Sequence, residues 1–178
     1  MADRLNPPYE TYVDQIVKYK EEVIKTLGHC QEIVALILDD PDIDIDSEKA
    51  EEVFEKHFWD YQYVDDTVQE AGAHIMVEAA RTGDNGSTIQ DFSLYVEIAV
   101  SKEFIALDHK KFVGMNGNRL DNLARFVDKC LNGSRSFGIG KLKPDDLRPV
   151  STPKMFRAVM LTYKPVDFGR NAGFGTSR

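Results

Sequence analysis

The amino-acid sequence predicts an α+β fold: a mostly antiparallel sheet with helices packed on one face. In the first third of the chain, apolar residues recur every three or four positions, which is typical of amphipathic helices. From about residue 73 the apolar period changes to two, the spacing of half-buried strands. One more helical pattern and two more strand patterns follow. This order is that of an antiparallel sheet covered by helices.

Three helices are predicted before residue 58. The first spans 9–27, and Gly28 follows it at the position where helices commonly end. The run "EIVALIL" predicts a short second helix at 31–38. Acidic residues crowd the first turn of a third helix, which Asp46 or Ser47 can cap.

Extended chain is predicted from the aromatic-rich stretch "FWDYQYVDDT" at 58–67 onward. Strands are predicted at 73–80 and 88–101, joined by "TGDNGS", whose Asp-Asn-Gly favours a tight turn. Two further strands are predicted at about 136–143 and 154–163. The segment "PDDLRPVSTP" between them is interpreted as a connection.

The last helix and the C-terminal segment complete the predicted organisation. Residues 117–133 carry one apolar stripe, and Gly133 stands at the helix end. The last fifteen residues combine glycine and proline with small polar residues. We therefore expect a single α+β domain over 1–163 and a glycine-rich C-terminal tail, or an arm that a partner orders, over 164–178.

The charge distribution disfavours general DNA binding. The formal net charge is −8, whereas sequence-independent binding to DNA needs a basic surface. The charge is uneven: residues from Gly133 onward carry nine Lys/Arg and three Asp/Glu, a net of +6, which leaves −14 for the preceding residues. Such asymmetry is compatible with head-to-tail contact between copies of the chain, and also with chance.

The remaining compositional signals indicate a protein of the cytoplasm. No apolar run approaches the roughly 18 residues that suggest a membrane span, and "MADRLNPPYE" lacks the pattern of a signal peptide. Two cysteines, Cys30 and Cys130, favour separate thiols in a reducing compartment, with a disulfide as the alternative.

The glycine-rich stretch "NGSRSFGIGKLK" does not fit a phosphate-binding loop. Around Gly140 and Lys141, a P-loop requires glycine where Arg135 stands and serine or threonine where Leu142 stands. The glycines also follow a helix and enter a strand, which is the reverse of the P-loop order. A mechanical role, as a helix stop and a point of close backbone approach, is the alternative.

Other signatures of chemistry are also missing from the sequence. "DDPDIDID" lacks the glycine that an EF-hand loop needs at its sixth position, where Ile45 or Ser47 would stand. No HExxH, CxxC or GxSxG pattern occurs. We therefore predict no catalytic, cofactor-binding or metal-binding residues. An enzyme with a dispersed site and a small cytoplasmic protein-binding module remain the alternatives.

Three segments resemble a family of neck and tail-completion proteins from tailed phages and prophages of Gram-positive hosts. They are "FEKHFWDYQYVDDTVQEAGAHIMVEA" (54–79), "FSLYVEIAVSKEFIAL" (92–107) and "GNRLDNLARFVDKCLNGSRSFGIGKLK" (117–143). The third has the family's glycine–arginine–aspartate helix start and its closing Phe-Gly-Ile-Gly-Lys-Leu. Together they cover 69 of the 178 residues, in matching order.

The resemblance implies a tail-terminator-like fold and a structural role in the virion. Such proteins are tail terminators or head–tail connectors, which form rings, commonly hexameric, around the DNA channel. The implied partners are further copies of the chain, the tail-tube protein and a head-side connector, with assembly in the host cytoplasm and no membrane. DNA would pass through the lumen without sequence-specific binding, and an acidic lumen would repel its phosphates.

Aromatic and basic residues near loops and strand edges are the predicted subunit-interface residues, since interfaces favour Tyr, Phe and Arg. These residues are Tyr61, Tyr63, Phe137, Ile139, Lys141, Phe168, Arg170 and Phe174. Phe137 and Ile139 are the expected anchors of the "SFGIGKLK" contact. The alternative, an edge strand packed only on its own core, stays open.

Overall fold

The structure, a computed structural model, describes residues 12–61, 71–82, 91–137 and 140–166. Within these ranges the chain forms four helices and five strands, and the predicted α+β class is confirmed. In chain order they are α1 (Tyr12–Gly28), α2 (Gln31–Leu38), α3 (Glu48–His57), β1 (Phe58–Trp59), β2 (Ala73–Thr82), β3 (Asp91–Ser101), α4 (Arg119–Leu131), β4 (Lys141–Val150) and β5 (Phe156–Val166).

The five strands form one sheet in the order β1-β2-β3-β5-β4. The short β1 runs parallel to β2, and every other pair is antiparallel. At the centre, Val96 lies opposite Val77 on one side and opposite Leu161 on the other. The sheet is therefore mostly antiparallel, as predicted, with β1 and β4 at its two edges.

The main hydrophobic core lies between the sheet and the helices. α1 packs against β2, and α4 packs against β3, β4 and β5. Leu123, Val127 and Leu131 of α4 are fully buried in this core. α2 packs against the other three helices, and its central run from Ile33 to Ile37 is buried. Each of these large apolar side chains contributes about 1.5–3 kcal/mol by leaving water.

The ends of two helices follow the chemistry that their sequences predict. The Ala50 N–H donates to Oγ of Ser47 at 3.3 Å, so Ser47 is the N-cap of α3. At the start of α4, Asn118 and Asp121 each accept a hydrogen bond from the other's backbone N–H, at 3.0 and 3.1 Å. Gly133 follows α4 with φ of 83°, the left-handed conformation expected of a helix stop.

The prediction for β4 is wrong in position. A strand was expected at 136–143 with "PDDLRPVSTP" as a connection, but β4 begins at Lys141 and continues through that segment to Val150. Because β4 is an edge strand, Pro144 and Pro149 can lie in it without breaking a central ladder. The register of β4 against β5 also shifts between Pro144 and Asp146, which accommodates the first proline of the strand.

The face of the sheet opposite the main core carries a second, smaller apolar cluster. Met76, Ala99, Phe156 and Ala158 form it, with Trp59 and Val150 packed at its margin. Polar side chains, among them those of Glu97 and Thr162, are buried on neighbouring strands. In the part of the chain that the structure describes, no helix combines the length and apolar character needed to span a bilayer.

Candidate interaction surface

A long groove lies between helix α4 and strand β4. α4 packs mainly on β3 and β5 and reaches β4 only near its start, where Leu142 is buried, so residues 143–149 of β4 are exposed. Leu147 shows this most clearly: it pairs with Leu161 of the core but remains 62% exposed. We call this feature the α4–β4 groove. Its volume is about 490 Å³, within the range of ligand and peptide pockets.

The groove has an apolar floor and acidic walls. Leu120, Ala124, Val159 and Leu161 line the floor. The walls consist of Asp121, Arg125 and Asp128 from α4 and of Pro144, Asp145, Asp146 and Leu147 from β4. With four aspartates and one arginine, the lining carries a formal charge of −3. We call this part the acidic half.

A second cavity adjoins the acidic half and extends the α4–β4 groove, and its lining has the opposite charge. Its volume is about 550 Å³, and it shares Leu120 and Val159 with the acidic half. The charged side chains that line it are Lys102, Lys154 and Arg157, a formal charge of +3. We call this part the basic half. The formal charge of the surface therefore changes from negative at one end to positive at the other.

The aspartates of the acidic half already have partners within the chain. Asp145 lies 2.8 Å from Nζ of Lys164, and Asp146 lies 3.7 Å from Nε of Arg148. The Tyr163 hydroxyl donates to Asp128 at 3.1 Å, and Tyr163 is buried; this burial, followed by the charge of Asp128, raises the pKa of the phenol. Exposed ion pairs are weak, and a carboxylate can accept further hydrogen bonds, so the walls can still take up a cation.

An aromatic column stands beside the opposite edge of the sheet. The ring of His74 lies between His57, at 5.4 Å between centroids, and Trp59, at 4.8 Å. Tyr61 extends the column at 6.3 Å from Trp59 and is half exposed. His57 Nδ1 lies 2.8 Å from the carbonyl of Ala73.

His74 is the least satisfied polar group of this column. It is 6% exposed, and within the described part of the chain neither ring nitrogen has a hydrogen-bond partner. Burial, together with the neighbouring His57, lowers the pKa of His74 to about 4, an effect that the Lys56 backbone partly opposes. The imidazole is therefore held neutral at physiological pH and acts as an aromatic packing group.

The predicted interface residues are not gathered in one place. Tyr61 lies beside the β1 edge, and Lys141 begins β4 at the other edge. Phe137 is 4% exposed in the main core of its own chain. Five others lie outside the described residues: Tyr63, Ile139, Phe168, Arg170 and Phe174. The interface role of all eight stays a prediction.

Among the described residues, no group of three or more His, Cys, Asp or Glu side chains is placed to hold a metal ion. The two cysteines, however, come together. Cys30 precedes α2, Cys130 lies in the last turn of α4, and each thiol shifts the pKa of the other. Spacing in the sequence gave no sign of this contact, because it joins residues 100 positions apart.

The most prominent residues of the groove were not predicted from the sequence. Asp145, Asp146 and Leu147 belong to the segment that was interpreted as a connection. The available signal was one apolar residue among three charged residues, with a proline on each side, but such a pattern has no strand period. The acidic residues of α4 were visible as the polar face of a helix, which is normally solvated.

Taken together, the described residues define a small α+β fold with an open, partly apolar groove beside an edge strand. The YomW family matches residues 30–165, which is more than two thirds of the chain, and the protein belongs to this family. The family is one of Bacillus phage proteins of the SPbeta type, so the protein is phage-associated. No curated protein matches the chain. The matched range contains the whole α4–β4 groove and ends one residue before β5 does.

Proposed function

We propose that this protein is a structural component of the phage neck or tail, acting as a tail terminator or head–tail connector. The observation that carries the proposal is the α4–β4 groove: an open apolar surface, in a phage-associated chain, whose two halves differ in charge. Apolar grooves on protein surfaces are a common kind of docking site for segments of other proteins.

The groove supports a ring built by head-to-tail contacts. The groove is concave, and two copies of a concave surface cannot fill each other, so the groove would receive a different, protruding part of its neighbour. Contacts of this kind generate closed rings when the rotation between subunits closes. The opposite sheet edge, with Tyr61 and Trp59, provides a second surface on the far side of the subunit. A ring, commonly of six copies, is the assembly that we propose.

The acidity of the chain fits a ring through which DNA passes. A net charge of −8 repels phosphates, so DNA can move through the lumen without being held. The protein would stop growth of the tail tube or join the tube to the head, with the tail-tube protein and a head-side connector as partners. Catalysis, cofactors and membranes have no part in this proposal, and the finished protein resides in the virion.

Native mass spectrometry of the full chain, alone and with its tail-tube protein, tests the proposal. We expect a closed ring for the wild type and a monomer for Leu147→Glu, which places a charge in the acidic half. Val113→Glu is the matched control, because Val113 is 84% exposed and does not line the groove. This control should still form rings.

Two outcomes would contradict the proposed function. One is a wild-type chain that remains a monomer at high concentration and is recruited by neither the tail-tube protein nor a connector, which is the behaviour of a small binding module. The other is turnover of a small molecule by the purified chain. Negative-stain images of the ring, alone and on tubes, would separate terminator from connector.

A further inference from the structure

The acidic half of the groove lies next to the point where the chain leaves the sheet. Val166, the last residue of β5, pairs with Lys141 at the start of β4, and Tyr163 pairs with Pro144 in the groove wall. Residues 167–178 continue from this point. Twelve residues span up to about 40 Å when extended, which is enough to reach a groove on an adjacent subunit.

The sequence of that segment, "DFGRNAGFGTSR", complements the groove. Phe168 and Phe174 are its large apolar residues, and Arg170 lies between them. An apolar floor bordered by aspartates offers what these side chains need: burial for the rings and carboxylates for the guanidinium. The segment carries two arginines and one aspartate, so its side-chain charge of +1 is opposite to that of the acidic half.

The direction of β5 favours a groove on another copy. β5 starts at Phe156 beside the basic half and runs past Leu161 in the acidic half, so the chain leaves the sheet pointing away from its own groove. Entry into its own groove requires a full reversal, whereas entry into a neighbour's groove needs only continuation. Each copy would then place its tail in the groove of one neighbour and receive the tail of the other neighbour. Such an arrangement is a head-to-tail contact.

We propose that residues 167–178 of one copy occupy the α4–β4 groove of the next copy in the ring. Phe168 and Phe174 pack on the apolar floor, and Arg170 pairs with the acidic half, displacing Lys164 or Arg148 from their exposed ion pairs. This inference rests on the proposed ring and names the contact that holds it together.

A labelled peptide tests the docking independently of ring formation. The peptide has the sequence of residues 164–178, and the receptor is the full chain carrying Phe168→Ser and Phe174→Ser, so that its own tail does not compete. We expect saturable binding by fluorescence anisotropy, with affinity reduced at least tenfold by Leu147→Glu and unchanged by Val113→Glu. Absence of binding, or equal loss with Val113→Glu, would overturn the proposal.

Mixing two defective full-length variants tests whether the tail docks on another copy. The tail variant (Phe168→Ser, Phe174→Ser) keeps its groove, and the groove variant (Leu147→Glu) keeps its tail. Each alone should be monomeric, and together they should form a one-to-one dimer that cannot close. Two monomers that do not combine, with the peptide still binding, would show that the tail occupies its own groove.

Charge exchange checks the assigned partner of Arg170. Arg170→Glu should weaken assembly, and adding Asp146→Arg in the same chain should restore it. Rings that survive in the tail variant would overturn the docking inference but leave the ring proposal standing. A wild-type chain that binds the peptide but stays monomeric would overturn the ring proposal. It would also refute docking between copies.

Discussion

Nη2 of Arg119 lies 2.5 Å from Oδ1 of Asp39, a contact that joins the first turn of α4 to the end of α2. Arg119 is 3% exposed, and its Nε donates to the carbonyl of Phe104 at 2.9 Å. Lys111 holds the other carboxylate oxygen of Asp39 at 2.6 Å. Burial raises the pKa of Asp39, but hydrogen bonds from Lys111 and Arg119 outweigh it and keep that pKa below its usual value.

Removing Arg119 is expected to destabilise the protein strongly. Arg119→Met should lower the free energy of unfolding by about 2–4 kcal/mol, because it leaves the carbonyls of Leu36 and Phe104 without their donor, although Lys111 still pairs with Asp39. Arg119→Lys should recover little of this, since one ammonium cannot match the planar fork that also stacks at 3.8 Å on Phe104. Urea denaturation measures both values.

The control for Arg119 is the exposed pair formed by Lys49 and Asp40. Lys49→Ala should change stability by less than about 1 kcal/mol, because both partners are solvated. Equal effects of Lys49→Ala and Arg119→Met would show that burial does not determine the contribution of the Arg119 pair.

The neutral His74 makes stability depend on pH. Its pKa is about 4 when folded, against about 6.5 when unfolded, so the unfolded chain binds more protons between these values. The stabilisation is therefore complete above about pH 6.5 and is lost as pH falls toward 4. The loss amounts to about 3 kcal/mol, and it does not increase below that range.

Replacement by phenylalanine isolates this effect. His74→Phe keeps the stacking with Trp59 and removes both unsatisfied nitrogens, so it should flatten the stability profile between pH 6.5 and 4. Chemical denaturation at a series of pH values gives the profile, with His109→Gln as a surface control. A profile that keeps its full slope in His74→Phe would assign the pH dependence to other groups.

Oxidised glutathione should convert Cys30 and Cys130 into a disulfide. The hydrogen bond with Cys130, followed by burial, raises the pKa of Cys30, whereas the hydrogen bond from Cys30 lowers the pKa of Cys130. Cys130 therefore ionises first and attacks glutathione disulfide, releasing one glutathione. Cys30 then displaces the second glutathione, and the protein loses two hydrogens.

Intact-mass spectrometry follows this reaction in the folded protein. The disulfide should raise the free energy of unfolding by about 2–4 kcal/mol, since it closes a long loop. Cys30→Ser should stop at the mixed disulfide on Cys130. A bond that forms only in urea would mean that the two thiols do not meet in the native chain.

Gly28 can take a side chain only if the ring of Phe54 moves. A Cβ there would overlap the edge of this half-buried ring, so the ring would have to turn away from α1. Gly28→Ala should cost about 1–3 kcal/mol, although alanine favours a helix by about 1 kcal/mol. Thermal and urea unfolding of Gly28→Ala, Phe54→Leu and the double variant give the coupling. Strictly additive costs would contradict the close contact.

Local chemistry explains the parts of the fold that the sequence predicted well. α2 was predicted at its observed bounds because eight residues combine an apolar run with clear flanking signals. The Ser47 cap and the helix stop at Gly133 depend on neighbouring residues only, so both can be recognised from the sequence alone. The alternating strand β3 was likewise visible, because one face meets the core.

Non-local chemistry explains what was missed. β4 has no apolar period because it is an exposed edge, and its place beside β5 depends on the order of strands in the sheet. The burial of Arg119 depends on carbonyls at Leu36 and Phe104, which the sequence places far away. The groove depends on how far α4 reaches across the sheet, a distance that no pattern of residues states.

Pro144 and Pro149 make the β4 edge unsuitable for strand pairing between copies of this protein. An unprotected edge strand can pair with other chains and lead to open-ended β-sheet aggregation. An edge with two residues that lack a backbone N–H is a poor template for such pairing. We therefore expect the purified chain to remain free of fibrils at high concentration, because any contact between copies at this edge would have to rely on side chains.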